Sequence, residues 1–155
     1  MSQDLGMPTS VFHLSIPVKD IESTTEFYVN GLGCGVGRQS RVAITLEFQG
    51  HQLVAHVTED LGPRQASIYP RHFGLVCRTK EEWTHWKDRA LTRHLPFFRE
   101  PRQRFSGTPL EHLTFFLEDP SHNLLEFKFY SNPQAIFGEQ AHSQIGDDHE
   151  RTLKS

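Results

Sequence analysis

The sequence contains one internal repeat, and this repeat limits the fold more than any other feature of the chain. A shift of 59 residues (72 − 13 = 59) superimposes the two halves. The aligned pairs keep their residue class: His13 with His72, Leu14 with Phe73, Ile16 with Leu75, Val18 with Cys77, Asp20 with Thr79, Phe27 with Trp86, and Leu32 with Leu91. Agreement over so many positions predicts two copies of one supersecondary unit.

Each half shows the periodicities of a βαβββ unit. In the first half, the pattern predicts strands at about 11–18, 34–39, 42–48 and 52–57, with a helix over about 20–32. In the second half, it predicts a strand around residue 72, a helix with a capping box of Thr79 and Glu82, a short strand near 97–99, an irregular stretch over 100–109, and strands at about 111–118 and 121–130. Residues 58–69 are predicted to be a linker.

We therefore expect an α+β fold with one domain over residues 11–130. Two βαβββ modules, residues 11–57 and 70–130, should pair into a curved sheet around one pocket. Residues 131–155 are expected to form a C-terminal tail that docks briefly through its apolar residues 135–137 and then frays.

Composition excludes several classes of partner. The net formal charge of −3 favours neither nucleic acid nor an anionic membrane. No apolar run is long enough to cross a bilayer, and residues 1–10 lack the basic start and apolar core of a signal peptide. Cys34 and Cys77 are too few for a disulfide scaffold, and Cys77 falls on the expected core face. We expect a soluble, cytoplasmic protein.

The stretch SHNLLEFKFY, residues 121–130, places an acid on an apolar strand. By strand alternation Leu125, Phe127 and Phe129 share one face, and Glu126 lies on the opposite face with Lys128. A lone glutamate on a half-exposed strand is most often a solvated charge, because glutamate is rarely buried without a partner. Glu126 acquires a functional interpretation only if other polar residues converge on it.

His13 and His72 provide such residues. Each histidine precedes an alternating apolar strand and projects from the face opposite the core, as Glu126 does. If the concave faces of the two modules enclose one pocket, His13 and His72 should meet across it. Two histidines and one carboxylate are the ligand set of a facial-triad metal site.

Three segments, FHLSIPVKD, HFGLVC and EDPSHNLLEF, resemble the vicinal oxygen chelate superfamily of glyoxalases, extradiol dioxygenases, fosfomycin-modifying enzymes and bleomycin-binding proteins. The resemblance covers about residues 11–130 and is nearest to small extradiol-dioxygenase-like members. It implies a pocket that holds a divalent metal ion on His13, His72 and Glu126. It also implies a small-molecule substrate with vicinal oxygens, and it allows a homodimer. Fe(II) or Mn(II) is favoured, and Zn, Co or Ni would also fit such a ligand set.

The resemblance leaves the chemistry open at one position. Matching the two hairpins by their faces places Val54 where Glu126 stands, which gives three protein ligands and a dioxygenase-like enzyme. A shift of two residues would place His56 there instead, which would suit a glyoxalase-like isomerase or lyase with four ligands. A non-catalytic binding module, similar to the bleomycin-binding members, is the third reading.

Further residues are candidates for substrate binding or proton transfer. Lys128, Arg104 and Phe116 are candidates for substrate binding, together with Arg102 and Thr108. His56 and His112 are candidate catalytic residues. Extradiol enzymes of this superfamily commonly place a tyrosine on the strand before the glutamate, whereas this chain has Phe115 and Phe116, so His112 is considered as an alternative base. The serine-rich potassium loop of fosfomycin-modifying thiol transferases is not recognisable in this sequence.

Overall fold

The computed structural model describes residues 9–147, and it contains both βαβββ modules. Module one consists of β1 (His13–Val18), α1 (Ile21–Thr25) with a π-helical turn (Glu26–Gly31), β2 (Gly35–Gln39), β3 (Ala43–Phe48) and β4 (His51–Val57). Module two consists of β5 (Phe73–Val76), α2 (Lys80–Thr92), β6 (Phe97–Arg104), β7 (His112–Glu118) and β8 (Leu124–Tyr130). A short 3-10 turn, Pro133–Ala135, follows.

Each module forms one four-stranded sheet with the same topology. The strand orders are β1-β4-β3-β2 and β5-β8-β7-β6. The first and last strands of each module pair in parallel, and the other neighbours pair antiparallel. The predicted α+β fold of two βαβββ modules is therefore confirmed.

The helices begin where the sequence predicts. Asp20 accepts a hydrogen bond from the Ser23 backbone N–H at 2.6 Å, and Thr79 accepts one from the Glu82 backbone N–H at 3.1 Å. The predicted capping box is only half formed, because the Glu82 carboxylate accepts from the backbone N–H of Arg78, at 3.1 Å, and not from that of Thr79. The sequence pattern did not predict the π-helical turn that completes the first helix.

The core lies between the helices and the inner faces of both sheets. Its fully buried members come from both modules: Val18, Tyr28, Ile44, Leu46, Ala55, Cys77, Ala90, Phe115, Leu117, Leu125 and Phe127. The α2 side chain Trp83 donates its indole N–H to the Phe127 carbonyl at 2.9 Å, and the ring centroids of Trp86 and Phe127 lie 5.3 Å apart. Leu125 and Phe127 therefore face the helix, as alternation predicts, and Glu126 faces the other way.

Polar contacts hold the two modules together. Tyr28 donates to the Asp119 carboxylate at 2.7 Å, which joins the first helix to the turn before β8. Asn123, in the same turn, donates to the carbonyl of Pro17 in β1 at 2.9 Å. Arg89 of α2 donates to the Gly31 carbonyl at the end of the first helix, at 2.7 Å. The turn that leads into the Glu126 strand is therefore positioned by module one.

Strand β6 differs from its prediction. The sequence suggested an irregular stretch from residue 100, but β6 continues to Arg104 as an edge strand with two breaks in its pairing to β7. Pro101 lies inside this stretch and has no N–H to donate, which an edge strand with bulges tolerates. None of the helices between residues 9 and 147 is long and apolar enough to cross a membrane.

Candidate functional site

Glu126 is the centre of a polar cluster on the outer face of the second sheet. It lies on β8 between β5 and β7, and its side chain is only 10% exposed. One carboxylate oxygen, Oε2, accepts a hydrogen bond from the Thr114 hydroxyl at 2.6 Å. The interpretation of Glu126 as a solvated surface charge is therefore excluded.

His72 points its second ring nitrogen at the same carboxylate. Nδ1 of His72 lies 2.7 Å from the carbonyl oxygen of Ile68, and a carbonyl can only accept, so Nδ1 carries the proton. Nε2 then faces Glu126 Oε1 at 3.3 Å. The ring also packs edge-on against Phe116, with centroids 5.1 Å apart. Backbone and aromatic contacts therefore fix the orientation of the imidazole before any ligand binds.

The charges in this cluster depend on one another. Burial by itself raises the pKa of Glu126, but the contacts with His72, Lys128 and Thr114 outweigh it and lower the pKa to about 2. The same contact with Glu126 raises the pKa of His72, against the effect of burial. Burial lowers the pKa of Lys128, but its ammonium group lies 3.6 Å from Glu126 Oε1, and this charge raises the pKa overall. Glu126 is thus ionised and surrounded by positive charge.

A cavity of about 600 Å³ opens beside this cluster. Its wall includes the substrate-binding candidates Lys128, Arg104 and Phe116 and the candidate base His112. His112 is 6% exposed, and its Nδ1 lies 2.9 Å from the Leu110 carbonyl. Burial lowers the pKa of His112, which favours the neutral imidazole. The structure therefore brings four of the sequence candidates to one cavity with His72 and Glu126.

His13 does not line this cavity. It is exposed at the start of β1, and its Nδ1 lies 2.7 Å from the side-chain oxygen of Gln52, so its Nε2 carries no proton when the ring is neutral. Within residues 9–147, no three His, Cys, Asp or Glu side chains form a group that could hold a metal ion. Within one chain, His72 and Glu126 therefore lie together. His13 does not join them, although the sequence analysis expected the two histidines to meet across one pocket.

The pairing of the strands shows which positions are equivalent. Ser15 lies opposite Val54 in module one, and Gly74 lies opposite Glu126 in module two. Val54 therefore occupies the position of Glu126, without the two-residue shift that the alternative alignment required. His56, which is exposed and lies opposite Pro17, corresponds to Lys128. His51 is the first residue of β4, and its Nδ1 accepts from the Phe12 backbone N–H at 3.3 Å.

Two parts of the site were missed from the sequence. Thr114 is a polar residue in the apolar strand β7, and its position opposite Lys128 would have identified it once the hairpin register was known. The C-terminal segment, residues 131–147, folds back over the cavity, and its residues 135–139 and 144–146 line it. Asp147 contacts Tyr69 and Arg104. The tail therefore docks, as expected for residues 135–137, but its contacts continue to residue 147, further than expected, and residues 148–155 lie outside the described part.

A family model and several solved structures are similar to this chain. The model described as Glyoxalase/Bleomycin resistance protein/Dioxygenase superfamily matches residues 10–127. A glyoxalase/bleomycin resistance protein/dioxygenase from Alicyclobacillus acidocaldarius is 44% identical with a TM-score of 0.80, and the match covers 84% of this chain and 98% of that one. No curated protein matches the chain.

Two more distant structures share the fold. The fosfomycin resistance protein FosX from Listeria monocytogenes has a TM-score of 0.64 at 18% identity, with 83% of this chain and 99% of that chain covered. A lactoylglutathione lyase from Agrobacterium tumefaciens has a TM-score of 0.60 at 17% identity, with coverages of 79% and 94%. These likenesses extend over nearly the whole length of the matched proteins.

Proposed function

Because the chain belongs to the glyoxalase/bleomycin resistance protein/dioxygenase superfamily, we propose that it is a metal-dependent enzyme, dioxygenase-like in type, that acts on a small substrate with vicinal oxygens. Members of this superfamily bind small molecules, commonly use divalent metals and often form dimers. The observation that carries the proposal is the convergence of His72 Nε2 and Glu126 Oε1, 3.3 Å apart, at the wall of a cavity.

The donor atoms of this pair suit a metal ion. Because Nδ1 of His72 donates to Ile68, a neutral ring presents a lone pair to a carboxylate oxygen that also has lone pairs. This contact is unfavourable unless the ring is protonated or a cation binds both atoms. The second atom of each group is already held, by the Ile68 carbonyl and the Thr114 hydroxyl, as outer partners of metal ligands usually are. The residues present therefore fit a divalent ion.

The third ligand of the proposed site is the partner subunit's His13, in a homodimer. β1 and β5 are both edge strands, with backbone groups available for pairing. A groove of about 180 Å³ runs along β5 and is lined also by His72, Glu126 and Lys128. Val11 and Phe12, just before β1, are 61% and 63% exposed, and Val76 at the end of β5 is 38% exposed. Pairing of β1 of one copy with β5 of the other would cover these apolar side chains and bring the histidine to the groove.

The register of the strands supports three protein ligands over four. Val54 cannot bind a metal, and it stands where a fourth ligand would be needed. A three-ligand site leaves positions open for the substrate, which agrees with dioxygenase-like chemistry on Fe(II) or Mn(II). Bound Zn, Co or Ni would instead favour an isomerase or a lyase. A protein that binds no metal would favour a non-catalytic binding module.

The remaining residues of the cavity would bind and orient the substrate. A metal ion would polarise the oxygens that chelate it. Lys128 supplies a cation beside Glu126 that attracts an anionic oxygen. His112 is neutral and buried, and its Nδ1 is bound to the Leu110 carbonyl, so Nε2 is the atom that would accept a proton. Phe116 is buried in the wall and packs edge-on against His72.

The first test is the metal content of the purified protein and of three variants. His72→Ala and Glu126→Gln should lose the metal, whereas Val54→Ala, at the equivalent position of module one, should retain it. Oxygen uptake with catechols then tests for dioxygenase activity if the metal is Fe or Mn. If neither the parent protein nor Val54→Ala binds Fe(II), Mn(II), Zn(II), Co(II) or Ni(II), the proposed metal site is wrong.

A mixing experiment tests the shared site. His13→Ala and Glu126→Gln should each abolish metal binding in their own homodimers. In a heterodimer of the two variants, one of the two sites regains all three ligands, so co-expressed and doubly tagged heterodimers should bind metal again. Metal binding that is lost in both homodimers and absent from the heterodimer would contradict a site shared between subunits.

A further inference from the structure

We propose that Arg104 and Tyr69 form a carboxylate-binding subsite of the Glu126 cavity, that Asp147 occupies it in the ligand-free chain, and that a substrate carboxylate displaces Asp147 when it binds. The inference deepens the proposed function and rests on it, because it treats this cavity as the substrate cavity. It names a substrate class, a small carboxylate, and it assigns the C-terminal segment a role in binding.

Arg104 is a largely buried cation at the wall of the cavity. It is the last residue of β6, and its side chain is only 11% exposed. Its guanidinium carbon lies 4.9 Å from the centroid of the Phe105 ring, and its charge acts on the nearby His112. A guanidinium this far from water requires a negative partner, because burial of an unpaired charge is costly. The cavity therefore contains a preformed position for an anion.

Asp147 fills that position in the manner of a bound carboxylate. One of its oxygens pairs with Arg104, and the other accepts a hydrogen bond from the Tyr69 hydroxyl at 3.0 Å. The Asp147 backbone N–H also donates to the Tyr69 oxygen at 3.0 Å. A guanidinium and a phenol hydroxyl on the two oxygens of one carboxylate would hold the carboxylate of a small molecule equally well.

Asp147 is more exposed than Arg104, so Asp147 is the partner that can leave. The Asp147 side chain is 37% exposed, whereas that of Arg104 is 11% exposed. Two of the three largest apolar side chains of the C-terminal segment add little burial, since Phe137 is 94% exposed and Ile145 is 73% exposed, and the third, Ile136, is half-buried. The segment is therefore held to a large extent by polar contacts, for which a ligand can compete, and not by a packed apolar face.

Departure of Asp147 would change both access and charge. Residues 135–139 and 144–146 line the cavity, so movement of the segment would open it toward Glu126 and His72. Loss of the Asp147 carboxylate would leave Arg104 without its ion-pair partner, while Lys128 would keep its contact with Glu126. An incoming carboxylate would take the place of Asp147 on Arg104 and would place the rest of the molecule among the aromatic rings of Phe105, Phe116 and Tyr130.

The test measures binding of benzoate and of the neutral benzamide to the metal-free full chain by calorimetry. Asp147→Asn keeps the size of the side chain and removes its charge, so it should bind benzoate about 10-fold more tightly, because the subsite is no longer occupied by its own anion. Benzamide should show no such gain. Arg104→Gln should bind benzoate much more weakly than the parent, and Tyr69→Phe should weaken it by less.

Asp88→Asn is the matched control, since it makes the same change of side chain on α2, where Asp88 is 64% exposed and does not line the cavity. Its benzoate affinity should equal that of the parent. Equal benzoate affinity of Asp147→Asn and the parent, an equal gain for benzamide, or no benzoate binding by any of the proteins would overturn the proposal. Metal content measured on the same proteins distinguishes the two hypotheses, because benzoate binding without metal would leave this inference standing when the metal site fails.

Discussion

Module one and module two have the same topology but different chemistry. In both, the first strand pairs in parallel with the last, and the residues equivalent by the sequence repeat are also equivalent in register. Ser15 opposite Val54 in module one becomes Gly74 opposite Glu126 in module two. A duplicated fold therefore provides a duplicated frame, and single side chains on that frame decide which half carries the acid.

The largest expected effect comes from exchanging the residue types of Gly74, which lies opposite Glu126, and Ser15, which lies opposite Val54. A Cβ added at Gly74 would lie 1.7 Å from the backbone oxygen of Glu126, so β5 could not keep its place beside β8. Gly74→Ser should cost more than about 4 kcal/mol of unfolding free energy, which is exceptional for one substitution. The reverse exchange, Ser15→Gly, should cost about 1 kcal/mol or less. Chemical denaturation measures both, and equal costs would show that the two frames are alike here after all.

One pair of helix positions related by the repeat should behave as equivalents. Phe27 and Trp86 are related by the repeat, and they are 3% and 5% exposed. Both side chains belong to the core that the two modules share, so Phe27→Ala and Trp86→Ala should each lower the unfolding free energy by about 3–5 kcal/mol. If one substitution lowers the unfolding free energy by less than half as much as the other in the same denaturation assay, the two positions are not equivalent.

Thr114 tests whether the carboxylate depends on its hydroxyl partner. Thr114→Val removes the donor to Glu126 Oε2 and should lower stability by about 1–3 kcal/mol. If Glu126 binds metal, affinity should also fall by about 10–100-fold, as for other outer partners of ligands. Thr45→Val is the control, because Thr45 lies opposite Val54, where there is no acid to support. Unchanged metal affinity in Thr114→Val would argue against Glu126 as a ligand.

His56 should give the smallest effect. It is exposed and corresponds to Lys128 in register, so His56→Ala should change the unfolding free energy by no more than about 0.5 kcal/mol. Metal content by elemental analysis should be the same as in the parent protein. Loss of metal from this variant would revive the glyoxalase-like alternative with four protein ligands.

The sequence predicted the elements well because alternation and helix capping are local patterns, and the repeat shows them twice. The capping residues Asp20 and Thr79 and the faces of Leu125 and Glu126 all follow from spacing within one element. The strand β6 was predicted too short, because Pro101 and the surrounding charged residues resemble a loop, and an edge strand with bulges hides its periodicity.

The site was only partly predictable for a different reason. His72 and Glu126 meet because β5 and β8 are adjacent, and the repeat implies that adjacency. The contacts of Asp147 with Tyr69 and Arg104 join residues far apart in the chain and leave no periodic signal. The position of His13 depends on how the modules of one or two chains are arranged, which alternation within a strand does not encode.

The hydrogen bond from Tyr28 to Asp119, inside a core shared by both modules, has a consequence for folding. The buried rings and aliphatic side chains of one half are completed by those of the other, and the turn before β8 is fixed by a residue of the first helix. Neither half is therefore a self-sufficient folding unit, although each repeats the other. The chain should unfold in one cooperative transition. The two modules would then unfold together, although the sequence still shows that each repeats the other.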